Sequence, residues 1–355
     1  MMSKERVRTA LARRTPDRLP AMVSFNTETQ GGLFNLAGLS ARDKIMRDLG
    51  TDDYENVLQR LGIDVRILSP RSVPVNFDAQ TRYRRFQEDL QQAHTPLDLR
   101  RLDWPSWDLT FDFARKWDCT RLREDLQRLL DLGDYAIQLD GPSVWEVVRL
   151  WRGFDQALID WLTNPQLTAA MFERTSQFFM PLYEAVADGL GDLRSEIDYI
   201  YAGSDFGMQD RLMVAPDLFV RDYEPIVRQE VGAFKQLFPN AFYEFHCCGS
   251  VIDILPSLIR AGVQVLHPVQ PAARGMDFRN LKAAFGQKLA FRGGVDAQTV
   301  LARGSADDVR QAVLDAFHTL GEGGGFIISP HGIMPEVPTE NVLALFDTVQ
   351  NECWY

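Results

Sequence analysis

Near the end of an apolar run, in residues 242–249 (FYEFHCCG), His246 and Cys248 place an imidazole and a thiol two positions apart. The chain has only five histidines and four cysteines, so two of its four cysteines stand side by side here. Alternate side chains of a strand share a face. An extended backbone through Cys248 therefore points His246 and Cys248 one way and Cys247 the other. Imidazole nitrogen and thiolate sulfur on one face are zinc-type donors. A third donor must come from elsewhere, and His331, in Pro330-His-Gly332, is the candidate. Glu244 shares the face of His246 one layer deeper, either as a further ligand or as a group that orients one. Three protein ligands with an open position describe a catalytic zinc site, where the metal holds a thiolate or makes hydroxide from water. The spacing leaves both chemistries open, and equally a buried His–Cys pair without metal.

Such residues need a scaffold that brings distant chain segments to one place. Eight short apolar, β-branched or aromatic runs are candidate strands: 20–25 (PAMVSF), 63–68, 135–139, 197–202, 241–245, 263–266, 289–292 and 325–329. Most are followed by a helical pattern of ten or more residues, as in a parallel β/α architecture. Eight is the count of a (β/α)8 TIM barrel, whose active site gathers where the strand C-termini meet; a doubly wound sheet has the same pattern. Residues 3–12 read as a helix capped by Ser3, and Ser40 caps a second helix with Asp43 as an imperfect box partner. Residues 69–107 read as an irregular excursion of small strands or a hairpin, with Arg82-Tyr-Arg-Arg-Phe86 as a solvated surface strand and Trp104 and Trp107 packing. No internal repeat or low-complexity linker divides the chain, so a single domain over 1–355 is expected.

The positions following the strand candidates are unusually polar: Asn26 and Glu28, Asp140, Asp205 and Gln209, His267 and Gln270, and Asp296, beside the three candidate ligands. Turn formation favours Gly, Pro, Ser and Asp, but not three of the five histidines. Asp205 and Asp140 are candidate general acid–base groups or substrate anchors, with Gln209 beside them. Asn26, Glu28, His267, Gln270 and Asp296 are candidate substrate contacts. Gly293-Gly294 would let backbone approach a ligand. No GxGxxG or Walker-type loop occurs, which leaves no argument for nucleotide binding.

The net charge of −11 disfavours broad nucleic-acid binding. Four cysteines in 355 residues do not make a disulfide framework. The N-terminus, MMSKERVRTAL, lacks the apolar core of a signal peptide, and no run approaches the length of a membrane span. A cytoplasmic protein with no membrane partner is expected.

Five stretches carry a resemblance: 203–209, 245–249, 266–271, 291–298, and 329–341 with its Pro338-Thr-Glu-Asn341. Through them the chain resembles the uroporphyrinogen decarboxylase superfamily along nearly its whole length, which implies a (β/α)8 barrel. The true decarboxylases of that superfamily use no metal. They carry an arginine-rich loop after the first strand and an aspartate after the second. Here those places hold Asn26-Thr-Glu-Thr-Gln-Gly-Gly32 and Leu68-Ser-Pro-Arg71. The chain looks more like the zinc-dependent branch that moves methyl groups between a corrinoid and a thiol, where zinc is held by a His-x-Cys pair and a later cysteine. His246 and Cys248 match the pair, and His331 stands where the later cysteine falls. The resemblance thus implies Zn2+, a small-molecule substrate that is an O-, N- or S-methyl compound or a thiol, a corrinoid as substrate or on a corrinoid protein, and a homodimer. Alternatives are a metal-independent decarboxylase of a small carboxylate, a zinc-dependent lyase or hydrolase, and a non-enzymatic corrinoid-protein partner.

Overall fold

A computed structural model describes residues 1–25, 40–108 and 115–355. Its strands are β1 (Val65–Leu68), β2 (Arg71–Pro74), β3 (Arg115–Asp118), β4 (Ala136–Asp140), β5 (Ile197–Gly203), β6 (Phe242–His246), β7 (Val265–Val269), β8 (Ala290–Val295) and β9 (Phe326–Pro330). Seven of them form one parallel sheet in the order β1-β4-β5-β6-β7-β8-β9. Helices fall between most neighbours, as parallel crossovers require. The sheet curls, and residues 20–25 fill the gap between its ends. Ala21 and Phe25 make parallel bridges to Ile328 and Ile333. On the other side, the Asp64 amide donates to Ala21 O at 2.9 Å. The expected first strand is therefore present as a stave held by bridges, and the TIM-barrel reading holds.

The core strands carry near-continuous apolar burial, as expected for a parallel sheet covered on its outer face. Inside the base of the barrel, Met22, Val65, Tyr199, Val265 and Ile327 pack against Val7, Ala10 and Leu11 of the helix Ser3–Leu11. That helix stoppers the N-terminal end of the barrel, so access is left to the end where the strands finish. Its cap position is Met2 rather than Ser3. Ser3 instead lies inside the first turn and donates its hydroxyl to Asp64 Oδ1 at 2.8 Å. Ser40 does cap the helix Ala41–Asp48, accepting from the Asp43 amide at 3.0 Å.

The excursion after β1 is part hairpin and part helix. β2 and β3 pair antiparallel, but residues 82–86 lie in the helix Phe77–Gln91, not in a strand. The alternation of charge and ring misleads there. Tyr83, Phe86 and Leu90 fall at helical spacing and are buried, while Asn76 caps the helix through the Ala79 amide. Trp104 packs against Phe86 and Trp151, with ring centroids 5.1 and 6.1 Å away. Among the described residues no helix is long and apolar enough to cross a membrane.

Candidate metal centre at the barrel mouth

Parallel registry places the critical residues side by side. Gly203 pairs with His246, and His246 with His267, across β5, β6 and β7. The C-terminal rim of β6 continues into Cys247 and Cys248, and β9 ends next to His331. His246, Cys248 and His331 each offer one ligand atom, and these atoms lie within 4.8 Å of one another. Cys248 Sγ stands 3.5 Å from His246 Nε2 and 3.0 Å from His331 Nε2. The strand alternation argued from the sequence is borne out at Cys247. It is fully buried on the opposite side, where its sulfur accepts the Phe206 amide at 3.2 Å.

The loop carrying Cys248 is held from several directions. Asp205 Oδ1 accepts the Cys248 amide at 2.8 Å and lies 3.4 Å from His246 Nε2. Gln270 Oε1 accepts the Gly249 amide at 2.6 Å. Backbone meets backbone where residues 203–208 cross the 246–249 loop. A Cβ on Gly207 would come within 2.1 Å of Cys248 O, and one on Gly203, whose φ is +140°, within 2.3 Å of His246 O. Only glycine fits these contacts. Phe206 anchors the same segment: it is fully buried, with ring centroids 5.9 Å from Trp145 and 4.7 Å from Tyr223. Burying such a ring stabilises the fold by about 1.5–3 kcal/mol, and it fixes the backbone from which Asp205 projects.

Behind His246 stands His267, only 3% exposed, with the two Nδ1 atoms 2.9 Å apart. One of these nitrogens must carry the proton. When His246 carries it, Nε2 presents a lone pair toward Cys248 and His331, the tautomer a metal needs. His267 then accepts as neutral imidazole. Burial, followed by the charges of Arg292, His246 and His331, holds its pKa well below the ordinary value. Beneath lies Glu244, fully buried, with Oε1 3.0 Å from Arg292 Nη2 and 3.9 Å from His267 Nδ1. Burial pushes Glu244 up to about 7 against the opposing pull of Arg292. Glu244 is therefore not among the converging ligands: its nearest charge is Arg292, and it supports the layer below them.

Burial would raise Asp205, but hydrogen bonding and charge from His246, in the form that carries a proton on Nε2, and the Cys248 amide outweigh it, so the carboxyl is held well below the usual range. For Cys248, burial and then the Asp205 and Cys247 charges push the thiol far up. His331 is lowered by burial, His246 and Arg292, with Asp205 opposing. No neighbouring group pulls the Cys248 thiol back down. A divalent cation shared with His246 and His331 would supply the missing positive charge, and two nitrogens with one sulfur is a donor set that suits zinc. The residues present fit that metal.

The remaining candidates divide. Asp140 lies in the mouth, lining a cavity of about 200 Å³ with Gln138, Tyr201, His267, Arg292 and His331. Burial raises its pKa, opposed by hydrogen bonds from Ser69 and Gln138. Gln209 instead ties two loops, donating to Ala272 O at 2.6 Å, and Gln270 holds the Cys248 loop. Asp296 caps the turn at Ala297–Leu301, its Oδ1 accepting the Gln298 and Thr299 amides at 3.0 and 2.6 Å. These three support backbone rather than standing free toward a substrate. Asn26 and Glu28 lie outside the described residues. The sequence reading did not single out Arg292, which is buried at the centre of β8 and bonded to Gln138 and Tyr199 across the barrel. An arginine inside the apolar run AFRGGV was the available signal, because a buried guanidinium needs partners.

The family model described as Uroporphyrinogen decarboxylase (URO-D) matches residues 151–352, so the chain belongs to that family. Uroporphyrinogen decarboxylases of Nostoc punctiforme and Synechocystis are similar to it at 26% and 24% identity over 134 and 140 residues. The match covers 38% of this chain and 35% and 38% of those relatives, so the chain spans little more than a third of their length. Over 99% of this chain and 98% of the other, the fold is similar to a methyltransferase from Methanosarcina mazei, with a TM-score of 0.62 and 17% identity.

Proposed function

We propose that this chain is a zinc-dependent methyltransferase that moves a methyl group between a small O-, N- or S-methyl compound, or a thiol, and a corrinoid carrier. The observation that carries this reading is the convergence of His246, Cys248 and His331 at the open end of the barrel. Membership in an enzyme family and a fold shared with a methyltransferase agree with it. The metal-independent decarboxylase alternative needs fixed positive charge in the mouth. Arg292 is the one cation among the described residues lining that cavity, and it is paired with Glu244.

His246, Cys248 and His331 would hold the metal. When bound, zinc acts as a Lewis acid on a substrate heteroatom or keeps a thiolate ready as nucleophile. His267 accepts the hydrogen bond from the proton that His246 carries on Nδ1, which leaves His246 Nε2 with a lone pair on the metal side. Asp205, anionic at neutral pH, fixes the Cys248 amide and balances positive charge beside the ligands. Asp140 offers a protonatable oxygen within the mouth cavity, and the stoppered base of the barrel keeps water to the single open end.

Metal analysis of protein purified without chelator tests the reading. About one zinc per chain is expected, with loss of metal in His246→Ala, Cys248→Ala and His331→Ala. A wild type that holds no metal and takes none up overturns it. A methylcobalamin assay with a panel of thiols then separates methyl transfer, which consumes methylcobalamin, from zinc-hydroxide hydrolysis, which ignores it.

A further inference from the structure

Outside the barrel mouth, a second and larger cavity of about 580 Å³ opens between the turn after β4, the helix Val144–Arg152 and the helix Pro165–Leu190, with Trp117 of β3 beside it. None of the residues around it belongs to the metal-ligand set. Its walls are aromatic and aliphatic: Trp117, Phe154, Phe179, Leu150, Leu182 and Tyr183. The volume falls within the roughly 300–1,000 Å³ typical of small-molecule sites.

The polar groups of the wall define what fits. Glu146 and Arg149 are ion-paired with each other, so the wall carries no unbalanced charge to attract an ion. Ser143 spends its hydroxyl on Gly203 O. Tyr183 is different. Its ring is largely buried and it lines the cavity, and its hydroxyl makes no hydrogen bond to the described residues. That oxygen is not sealed from solvent, so a ligand carrying one polar atom can hydrogen-bond to it. Aromatic rings on several sides favour a flat aromatic body, through offset and edge contacts.

We propose that this cavity is a binding site for an uncharged aromatic small molecule bearing one hydroxyl, ether or amine group, separate from the metal centre. It stands close to that centre in bonding terms. Glu146 Oε1 accepts the Asp205 amide at 3.0 Å, and Asp205 in turn accepts the Cys248 amide.

The test is titration of the full chain with the neutral fluorescent probe N-phenyl-1-naphthylamine and with 1-naphthol as competitor. Saturable binding of one probe per chain is expected. Leu150→Trp, which fills the cavity from a half-exposed position, is expected to weaken it at least tenfold. Tyr183→Phe should weaken 1-naphthol severalfold more than naphthalene itself. Leu162→Ala, an exposed apolar residue outside this cavity, should change neither. Non-saturable binding, or equal binding by wild type and Leu150→Trp, overturns the proposal. Zinc content measured on the same samples is expected to be unchanged, so failure here is distinguishable from failure of the metal reading.

Discussion

At the scale of single residues, the proposed centre rests against a histidine outside the proposed ligand set. His267 touches His246 through Nδ1 and sits above the Glu244–Arg292 pair. Groups that orient a metal-bound histidine typically change metal affinity by 10- to 100-fold when removed. His267→Ala is therefore expected to keep one zinc per chain at saturating metal but to weaken zinc binding by about that factor, read by competition with a chromophoric chelator. Unchanged affinity would reduce His267 to a packing role. The sequence made this residue visible as a polar group after a strand. It could not reveal that Nδ1 faces a second Nδ1, because that depends on the registry of β6 against β7.

At the scale of elements, the closure of the barrel runs through Asp64. This residue is 1% exposed and accepts from Arg6, Ser3, Arg18 and the Ala21 amide at 2.6–3.2 Å. One carboxylate thus joins the stoppering helix, the stave at 20–25 and the start of β1. Removing one partner of a buried ion pair leaves uncompensated charge and costs about 3–5 kcal/mol. Asp64→Ala is expected to lose about that much stability in denaturant unfolding, whereas a change at the exposed Arg60–Asp347 pair should cost under about 1 kcal/mol. A small effect at Asp64 would mean that apolar packing alone closes the barrel. In the sequence, Asp64 is one polar residue within the candidate strand 63–68, with nothing local to mark its partners. The helix at 77–91 was likewise missed, because charge alternation hid a buried Tyr83-Phe86-Leu90 stripe.

For the whole molecule, stability against pH should report a buried acid outside the candidate site. Glu230, in the helix Glu224–Leu237, is 4% exposed, and its Oε1 has no hydrogen-bond partner. Burial pushes its pKa up to about 8 from the ordinary 4.5. Between those values the unfolded chain releases a proton that the folded chain keeps. The unfolded state binds fewer protons, so stability falls as pH rises through this window, by at most about 1.4 kcal/mol per unit. Glu230→Gln has no proton to lose. It should match wild type below about pH 4 and unfold at a higher temperature than wild type at pH 8. Equal melting temperatures at pH 8 would show that the carboxyl is already ionised and solvated there.

Local sequence determined a good deal. Seven of the eight expected strands lie in the observed sheet within a few residues, because apolar β-branched runs between glycines and prolines are a short-range signal. Alternation along one strand separated Cys248 from Cys247, because the period of two is a property of the backbone. The convergence of His331 on His246 and Cys248 was also expected from sequence, since a barrel gathers its strand ends. Only the tertiary structure decided which polar residues face the centre and which hold loops. Gln209, Gln270 and Asp296 are polar residues in the same place in the chain pattern as Asp140 and Asp205. What separates them is which backbone amide or carbonyl lies within hydrogen-bonding distance, and that is set by how the loops pack across one another in space.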